Sequence, residues 1–483
     1  MIHFGTDGWR AVISEEFTFE NLRKVTQAVA DWAREEQAKD DMVFVVGFDT
    51  RFLSDRYAME VARVLASNGI RVLLSKADTP TPVISQAIVQ HGADGGVMIT
   101  ASHNPPRYNG FKLKAAYGGA ASPDVCRQVE ARLADNEARN RPVALEDVSA
   151  LVAEGRIQRF DPMPGYREHL KRIVDFDALR SARLRVMVDP MYGAGRLVLA
   201  QMLADLGMEV VEIHNELNPG FGGLHPEPIA RYLGDLIRQV PAGGFDLGVA
   251  TDGDADRIGA VAADGRFLSP HAILSLLLWY LVERRGLSGA VVKTVSTTRM
   301  LDRQARHYGL PLFETPVGFN HIADLMLTND VLLGGEESGG ISVRGHVPEG
   351  DGILVALLLV EMVAREGRPL GDLWDDLQRR FGPFFYARHD ARIEVFDGGR
   401  YDKQGLIERL TQSPPASLGG LDVVGVSAKD GVKYALADDS WLLIRPSGTE
   451  PVLRIYAEAT SEELVGRLLE EGQRLGLGVV AAA

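Results

Sequence analysis

The chain has 483 residues, too many for one hydrophobic core, so roughly three or four domains of about 100 to 150 residues each are expected. With 46% hydrophobic and 24% charged residues, it has the make-up of a globular protein and not of a disordered one. The formal net charge of -14 argues against a nucleic-acid binder, and any phosphate site must be made basic locally.

Cys126 is the single cysteine, which rules out an intramolecular disulfide and a cysteine metal cluster and fits a reducing cytoplasm. The start Met1-Ile2-His3-Phe4 has neither the basic nor the apolar region of a secretory signal. The longest apolar stretches, 272–282 and 353–360, fall short of the ~20 residues that span a bilayer. They read as buried helices, and no membrane association is expected.

Along the chain, short apolar runs lead again and again into polar or glycine-rich loops. Val43-Phe44-Val45-Val46-Gly47 runs into Phe48-Asp49-Thr50-Arg51, and Gly95-Gly96-Val97-Met98-Ile99 into Thr100-Ala101-Ser102-His103-Asn104-Pro105. Leu184 to Val188 precedes Asp189-Pro190-Met191-Tyr192-Gly193-Ala194-Gly195; Phe245 to Ala250 precedes Thr251-Asp252-Gly253-Asp254-Ala255-Asp256-Arg257. Ala290-Val291-Val292 runs into Lys293-Thr294-Val295-Ser296-Thr297, and Val331-Leu332-Leu333 into Gly335-Glu336-Glu337-Ser338-Gly339-Gly340. Strands alternating with helices imply mainly parallel sheets with ligands at the carboxyl ends of the strands. The tail differs: Trp441-Leu442-Leu443-Ile444 and Val452 to Tyr456 flank the turn Arg445-Pro446-Ser447-Gly448-Thr449, and an amphipathic helix is expected over 461–475. The expected fold is three related α/β domains with mainly parallel sheets and a smaller C-terminal α+β domain around a central cleft. The boundaries fall at 1–140, 141–264, 265–380 and 381–483.

The loops carry phosphate chemistry. Ser102 follows a buried strand but lacks a Gly-x-Ser-x-Gly elbow, which argues against an acyl-transfer hydrolase. Asp252, Asp254 and Asp256 alternate with small residues, so an extended chain presents all three carboxylates on one side, a donor set suited to Mg2+. An EF-hand is rejected, because Arg257 and Ala263 stand where it needs glycine and glutamate. Arg445, Ser447, Gly448 and Thr449 offer a guanidinium, hydroxyls and backbone amides to an anion. Glu336 and Ser338 suit sugar hydroxyls. Gly193-Ala194-Gly195 lacks the third glycine of a dinucleotide fingerprint, Val198 standing in its place, and reads as a tight turn.

These loops, in this order and after Phe4-Gly5-Thr6-Asp7-Gly8-Trp9-Arg10, resemble those of the alpha-D-phosphohexomutase family, the phosphoglucomutases and phosphomannomutases, over nearly the whole chain. The resemblance implies reversible movement of a phosphoryl group between the 1- and 6-hydroxyls of a hexose phosphate. It proceeds through phosphoserine at Ser102, with a hexose 1,6-bisphosphate as intermediate and activator. It also implies one Mg2+ per chain on Ser102, Asp252, Asp254 and Asp256, and catalytic roles for Ser102, Arg10, His103 and Lys112. Hexose phosphate is then bound by Arg257, Lys293, Glu336, Ser338, Arg445, Ser447, Gly448 and Thr449. Lys112 is either a general base or a solvated surface lysine.

Two departures from the family pattern stand out. Asn320, in Thr315-Pro316-Val317-Gly318-Phe319-Asn320-His321, occupies a place where relatives commonly carry lysine. Gly340 stands where the mannose-accepting and glucosamine branches often carry histidine, which favours glucose. The alternatives are a phosphomannomutase or dual-specificity enzyme, a phosphatase, and a non-catalytic sugar-phosphate-binding protein. The expected setting is a cytoplasmic monomer or homodimer with a small-molecule hexose phosphate and no nucleic-acid partner.

Overall fold

The computed structural model describes residues 2–5, 8–37, 39–393, 402–447 and 452–481. The chain forms two compact units, Met1–Ile273 with Ala323–Asp330 and Ser338–Gly371, and Leu274–Ile322 with Val331–Glu337 and Asp372–Ala483.

The first unit holds two sheets. One is six-stranded, in the order Trp9–Val12, Tyr108–Ala115, Gly95–Ile99, Val43–Phe48, Arg71–Ser75, Ile157–Phe160. Val43–Phe48 is buried along its whole length, as its unbroken apolar run predicts for a strand covered on both faces. The other sheet runs Phe267–Leu268, Ile258–Ala262, Leu247–Thr251, Arg185–Asp189, Glu209–Glu212. Both sheets are mixed. Their central strands pair in parallel, but Gly95–Ile99 pairs antiparallel with Tyr108–Ala115, and Leu247–Thr251 with Ile258–Ala262. The parallel core agrees with the expected α/β domains, and the antiparallel strands are added at one side of each sheet. The loops after Ile99 and Thr251 are too short for a parallel crossover, which takes a dozen or more residues, so the chain must turn straight back. The Ser102 and Asp252 loops are thus each the bend between a buried parallel strand and an antiparallel return.

The helix Gly352–Glu366 is apolar almost all round and is buried against Leu247–Thr251 and Ile258–Ala262. That packing explains why Ser338–Gly371 belongs to the first unit, although these residues fall in the expected third domain. Asp351 caps the helix, accepting from the Leu354 amide at 2.8 Å. The apolar stretch near 272–282 is also helical, Pro270–Trp279 continuing as a π turn over Tyr280–Arg284. Among the described residues no helix is long and apolar enough to cross a membrane.

In the second unit, Ala290–Thr294 pairs in parallel with Leu312–Thr315 and Val331–Gly335. The C-terminal sheet runs Phe385–Arg392, Val452–Ala459, Trp441–Pro446, Val432–Leu436, Leu421–Ser427, Ser417–Leu418, antiparallel throughout. The tail helix, expected over 461–475, spans Glu462–Ala481 and covers a core that includes Tyr434, Leu442, Ile455 and Leu468.

Candidate active site

Ser102 is buried at 1% exposure and has φ 51, a left-handed backbone that a non-glycine residue adopts only when its surroundings impose it. Those surroundings are a hydrogen-bonded clamp. The Ser102 amide donates to Thr100 Oγ1 at 2.9 Å, and Thr100 Oγ1 donates to Asp49 Oδ2 at 2.7 Å. Arg51 uses all five of its N–H donors: Nε on Asp49 Oδ2 at 3.1 Å, Nη1 on the carbonyls of Pro105 and Tyr108 at 2.9 and 3.0 Å, and Nη2 on those of Ser102 and Asn104 at 2.5 and 2.7 Å. The clamp aims Ser102 Oγ at Asp252 Oδ2, to which it donates at 2.8 Å, with His103 Nδ1 3.4 Å away. Burial, joined by the charges of Arg257, Arg10, Arg51 and Lys112, holds the His103 ring well below its ordinary pKa, so it is neutral. Arg10 donates to Asn104 Oδ1 at 2.7 Å.

Sequence reasoning did not single out this role for Arg51. Its signal was the polar Asp49-Thr50-Arg51 directly after a buried strand, but the receiving carbonyls lie some fifty residues on, where no local pattern points. Arg51→Met is expected to cost about 3–5 kcal/mol in urea unfolding, because it strands the buried Asp49 carboxylate.

Asp252 and Asp254 are fully buried and Asp256 nearly so, and their carboxylates offer oxygens all within 4.8 Å of one another. Lys112 Nζ donates to Asp254 Oδ2 at 3.0 Å and to Asp256 Oδ2 at 2.9 Å, and Thr81 Oγ1 donates to Asp254 Oδ2 at 2.6 Å. Burial, then the charges of Asp256 and Asp254, pushes the Asp252 carboxyl well above the usual range. Burial acts the same way on Asp254, but the Lys112 charge and the Thr81 and Lys112 hydrogen bonds outweigh it and hold that carboxyl low. Oδ1 of Asp254 and Oδ1 of Asp256 are buried without a hydrogen-bond partner. Orphaned carboxylate oxygens beside two further hard donors fit a small divalent cation. Lys112 is not a solvated lysine, since it is 1% exposed and sits on the carboxylates.

Backbone contacts hold the serine and aspartate loops together. A Cβ at Gly253 would collide with the Ser102 carbonyl, and one at Gly193 would lie 2.7 Å from the Asp252 carbonyl. The Gly193-Ala194-Gly195 turn therefore supports the aspartate loop, its Ala194 amide donating to the Gly253 carbonyl at 2.9 Å. Arg257 donates its amide to Asp252 Oδ1 at 3.2 Å, and its side chain lies 3.9 Å from both Glu227 and Asp256. Ser338, also of this unit, is half-buried.

In the second unit hydrogen bonds join four segments, those of Arg445, Asp430, Val317-Gly318 and Glu336. Asp430 Oδ2 accepts from Arg445 Nε at 2.8 Å and from the Val317 amide at 2.9 Å, while Glu336 Oε1 accepts from the Gly318 amide at 2.8 Å. Glu337 is held separately by the Tyr386 hydroxyl at 2.9 Å. Asn320 Oδ1 is buried without a partner. Ser447 is buried, its amide on the Val452 carbonyl at 2.9 Å and its own carbonyl accepting from Lys403 Nζ. Gly448 and Thr449 lie outside the described residues. Lys293, expected on the substrate, is fully buried, its ammonium on Asp302 and, at 3.1 Å, on the Thr298 carbonyl. As placed it supports its loop and does not line it.

Comparison with known proteins gives four family models in chain order. They are Phosphoglucomutase/phosphomannomutase, alpha/beta/alpha domain I over residues 1–140, domain II over 164–265, domain III over 269–381, and the C-terminal domain over 409–473. A phosphoglucomutase/phosphomannomutase of Thermococcus kodakarensis is 34% identical, covering 98% of each chain. A second protein of that organism, assigned as a phosphoglucosamine mutase, is 32% identical over 98% of each. A crystal structure from Thermus thermophilus, assigned as a phosphomannomutase, superposes with a TM-score of 0.84 at 36% identity over 98% of each chain.

Proposed function

The chain belongs to the phosphoglucomutase/phosphomannomutase family of isomerase-class phosphotransferases, and from that premise we propose that it interconverts glucose 1-phosphate and glucose 6-phosphate through phospho-Ser102 and glucose 1,6-bisphosphate. The observation that carries this reading is the Ser102 hydroxyl, held in a strained left-handed turn and aimed at the buried carboxylates. Observed strain of this kind is a pointer to function.

In the proposed cycle the Oγ–P bond of phospho-Ser102 breaks as a bond from phosphorus to the free sugar hydroxyl forms. The bisphosphate then turns over and returns its other phosphoryl group to Oγ. Such transfers depend on positioning and on neutralising charge. Asp252, Asp254 and Asp256, with a Ser102 oxygen, would hold Mg2+, which when bound neutralises the phosphoserine and polarises its phosphorus. Arg10 adds positive charge beside the serine loop. His103, neutral and 3.4 Å from Oγ, and Lys112, on the carboxylates, are the groups placed to handle the hydroxyl proton. Arg445, Ser447, Gly448 and Thr449 are assigned to the non-reacting phosphate. Glu336 and Ser338 take sugar hydroxyls, and Arg257 the substrate's anionic side.

Glucose is favoured by Gly340, which stands where the mannose-accepting and glucosamine branches often carry histidine. Phosphorus NMR with Mg2+ and a trace of glucose 1,6-bisphosphate tests this, with glucose, mannose and glucosamine 1-phosphates in separate tubes. Conversion of the glucose ester is expected to be faster by about tenfold, the worth of one hydrogen bond. Equal mannose turnover would mean dual specificity, faster glucosamine turnover would overturn the assignment, and free phosphate without isomer would mean a phosphatase.

A further inference from the structure

The strand Tyr108–Ala115 buries two lysines on one face. Phe111 and Leu113 enter the hydrophobic core of the first sheet, while Lys112 and Lys114, two residues apart and each 1% exposed, project the other way. Lys112 meets the aspartates. Lys114 forms a buried ion pair with Glu349, which is 6% exposed.

Glu349 opens the segment that underlies the aspartate loop. A Cβ at the next residue, Gly350, would collide with the Asp256 carbonyl, and one at Gly352 would collide with the Arg257 carbonyl. The Gly352 amide donates to the Ala255 carbonyl at 3.0 Å. Between them Asp351 is fixed by the Tyr166 hydroxyl at 2.7 Å and by its cap on the helix Gly352–Glu366. A rigid floor therefore touches the aspartate loop backbone at Ala255, Asp256 and Arg257. The Lys114–Glu349 pair fastens that floor to the strand whose Lys112 grips the same loop from its side chains.

We propose that Lys114 and Glu349 are positioning residues for the metal-binding loop. Together they set the height of the Asp254–Asp256 carboxylates relative to Lys112 and Ser102. The inference rests on the mutase reading given above. Loss of groups that orient ligands costs metal sites about 10- to 100-fold in affinity.

The test measures MgCl2 affinity by isothermal titration calorimetry, melting temperature, and velocity against Mg2+ concentration for the full chain, for Glu349→Gln and for the double variant Lys114→Met/Glu349→Leu. Glu349→Gln strands the Lys114 ammonium and is expected to lower both melting temperature and Mg2+ affinity. The double variant replaces a buried ion pair by apolar groups, a change often neutral for stability. It should melt close to wild type yet bind Mg2+ about 10- to 100-fold more weakly, with kcat largely recovered at saturating Mg2+. A double variant that melts like wild type and binds Mg2+ equally well would overturn the proposal, leaving the pair a purely structural one. Wild-type inactivity on every hexose phosphate would instead sink the mutase reading, so the two failures are told apart.

Discussion

Ser102→Ala is expected to abolish isomerisation, with kcat falling by at least about 10⁴-fold, the scale on which losing a covalent nucleophile registers. Alanine keeps the Cβ and can occupy the left-handed turn at φ 51, because the conformation is imposed by the Thr100–Asp49–Arg51 clamp and not by Oγ. The variant should therefore fold, and its melting curve should lie close to that of wild type. It should still bind hexose phosphate, since Arg445, Glu336 and Asp430 lie in the second unit and keep their own hydrogen bonds. Near-normal turnover in this variant would remove the phosphoserine from the mechanism.

Asp252→Asn should separate activity from stability. Three carboxylates with oxygens within 4.8 Å of one another repel, even with the Lys112 ammonium bonded to Asp254 and Asp256. Without a divalent cation, neutralising Asp252 relieves that repulsion, so the variant is expected to melt above wild type in EDTA. With MgCl2 the order should reverse. A cation bound to the folded state at 100 times its dissociation constant stabilises by about 2.7 kcal/mol, and the variant loses a charged ligand. Mutase activity should fall about a thousandfold or more, since metal charge stabilisation is worth several kcal/mol. Parallel melting curves of the two proteins, with and without MgCl2, check both signs. Wild type that gains nothing from MgCl2 would contradict the metal assignment.

The loops were legible because their chemistry is local. Asp252, Asp254 and Asp256 alternate in five residues, and Ser102 stands directly after an apolar run, so both features survive reading the chain as a string. What the string hides is long-range. Arg51 reads only as the end of a polar loop after a strand, but four of its donors are spent on loop carbonyls around Ser102 and the fifth on Asp49. Lys112 was open between surface and site because its partners, Asp254 and Asp256, lie more than a hundred residues away. The antiparallel returns after Ile99 and Thr251 were readable in principle from loop length, but the α/β rhythm of the flanking strands dominated the pattern. Lys293 shows the opposite error, a basic residue beside a loop whose charge is turned inward to Asp302.

The central claim is that Ser102 carries the phosphoryl group. Incubation of the protein with Mg2+ and glucose 1,6-bisphosphate, followed by peptide mapping with tandem mass spectrometry, tests it most directly. The account predicts one phosphoryl group on the peptide containing Ser102, localised to that serine and discharged when glucose 6-phosphate is added. An unmodified Ser102 in protein that isomerises hexose phosphates, or a phosphoryl group on another residue that turns over in its place, would contradict it.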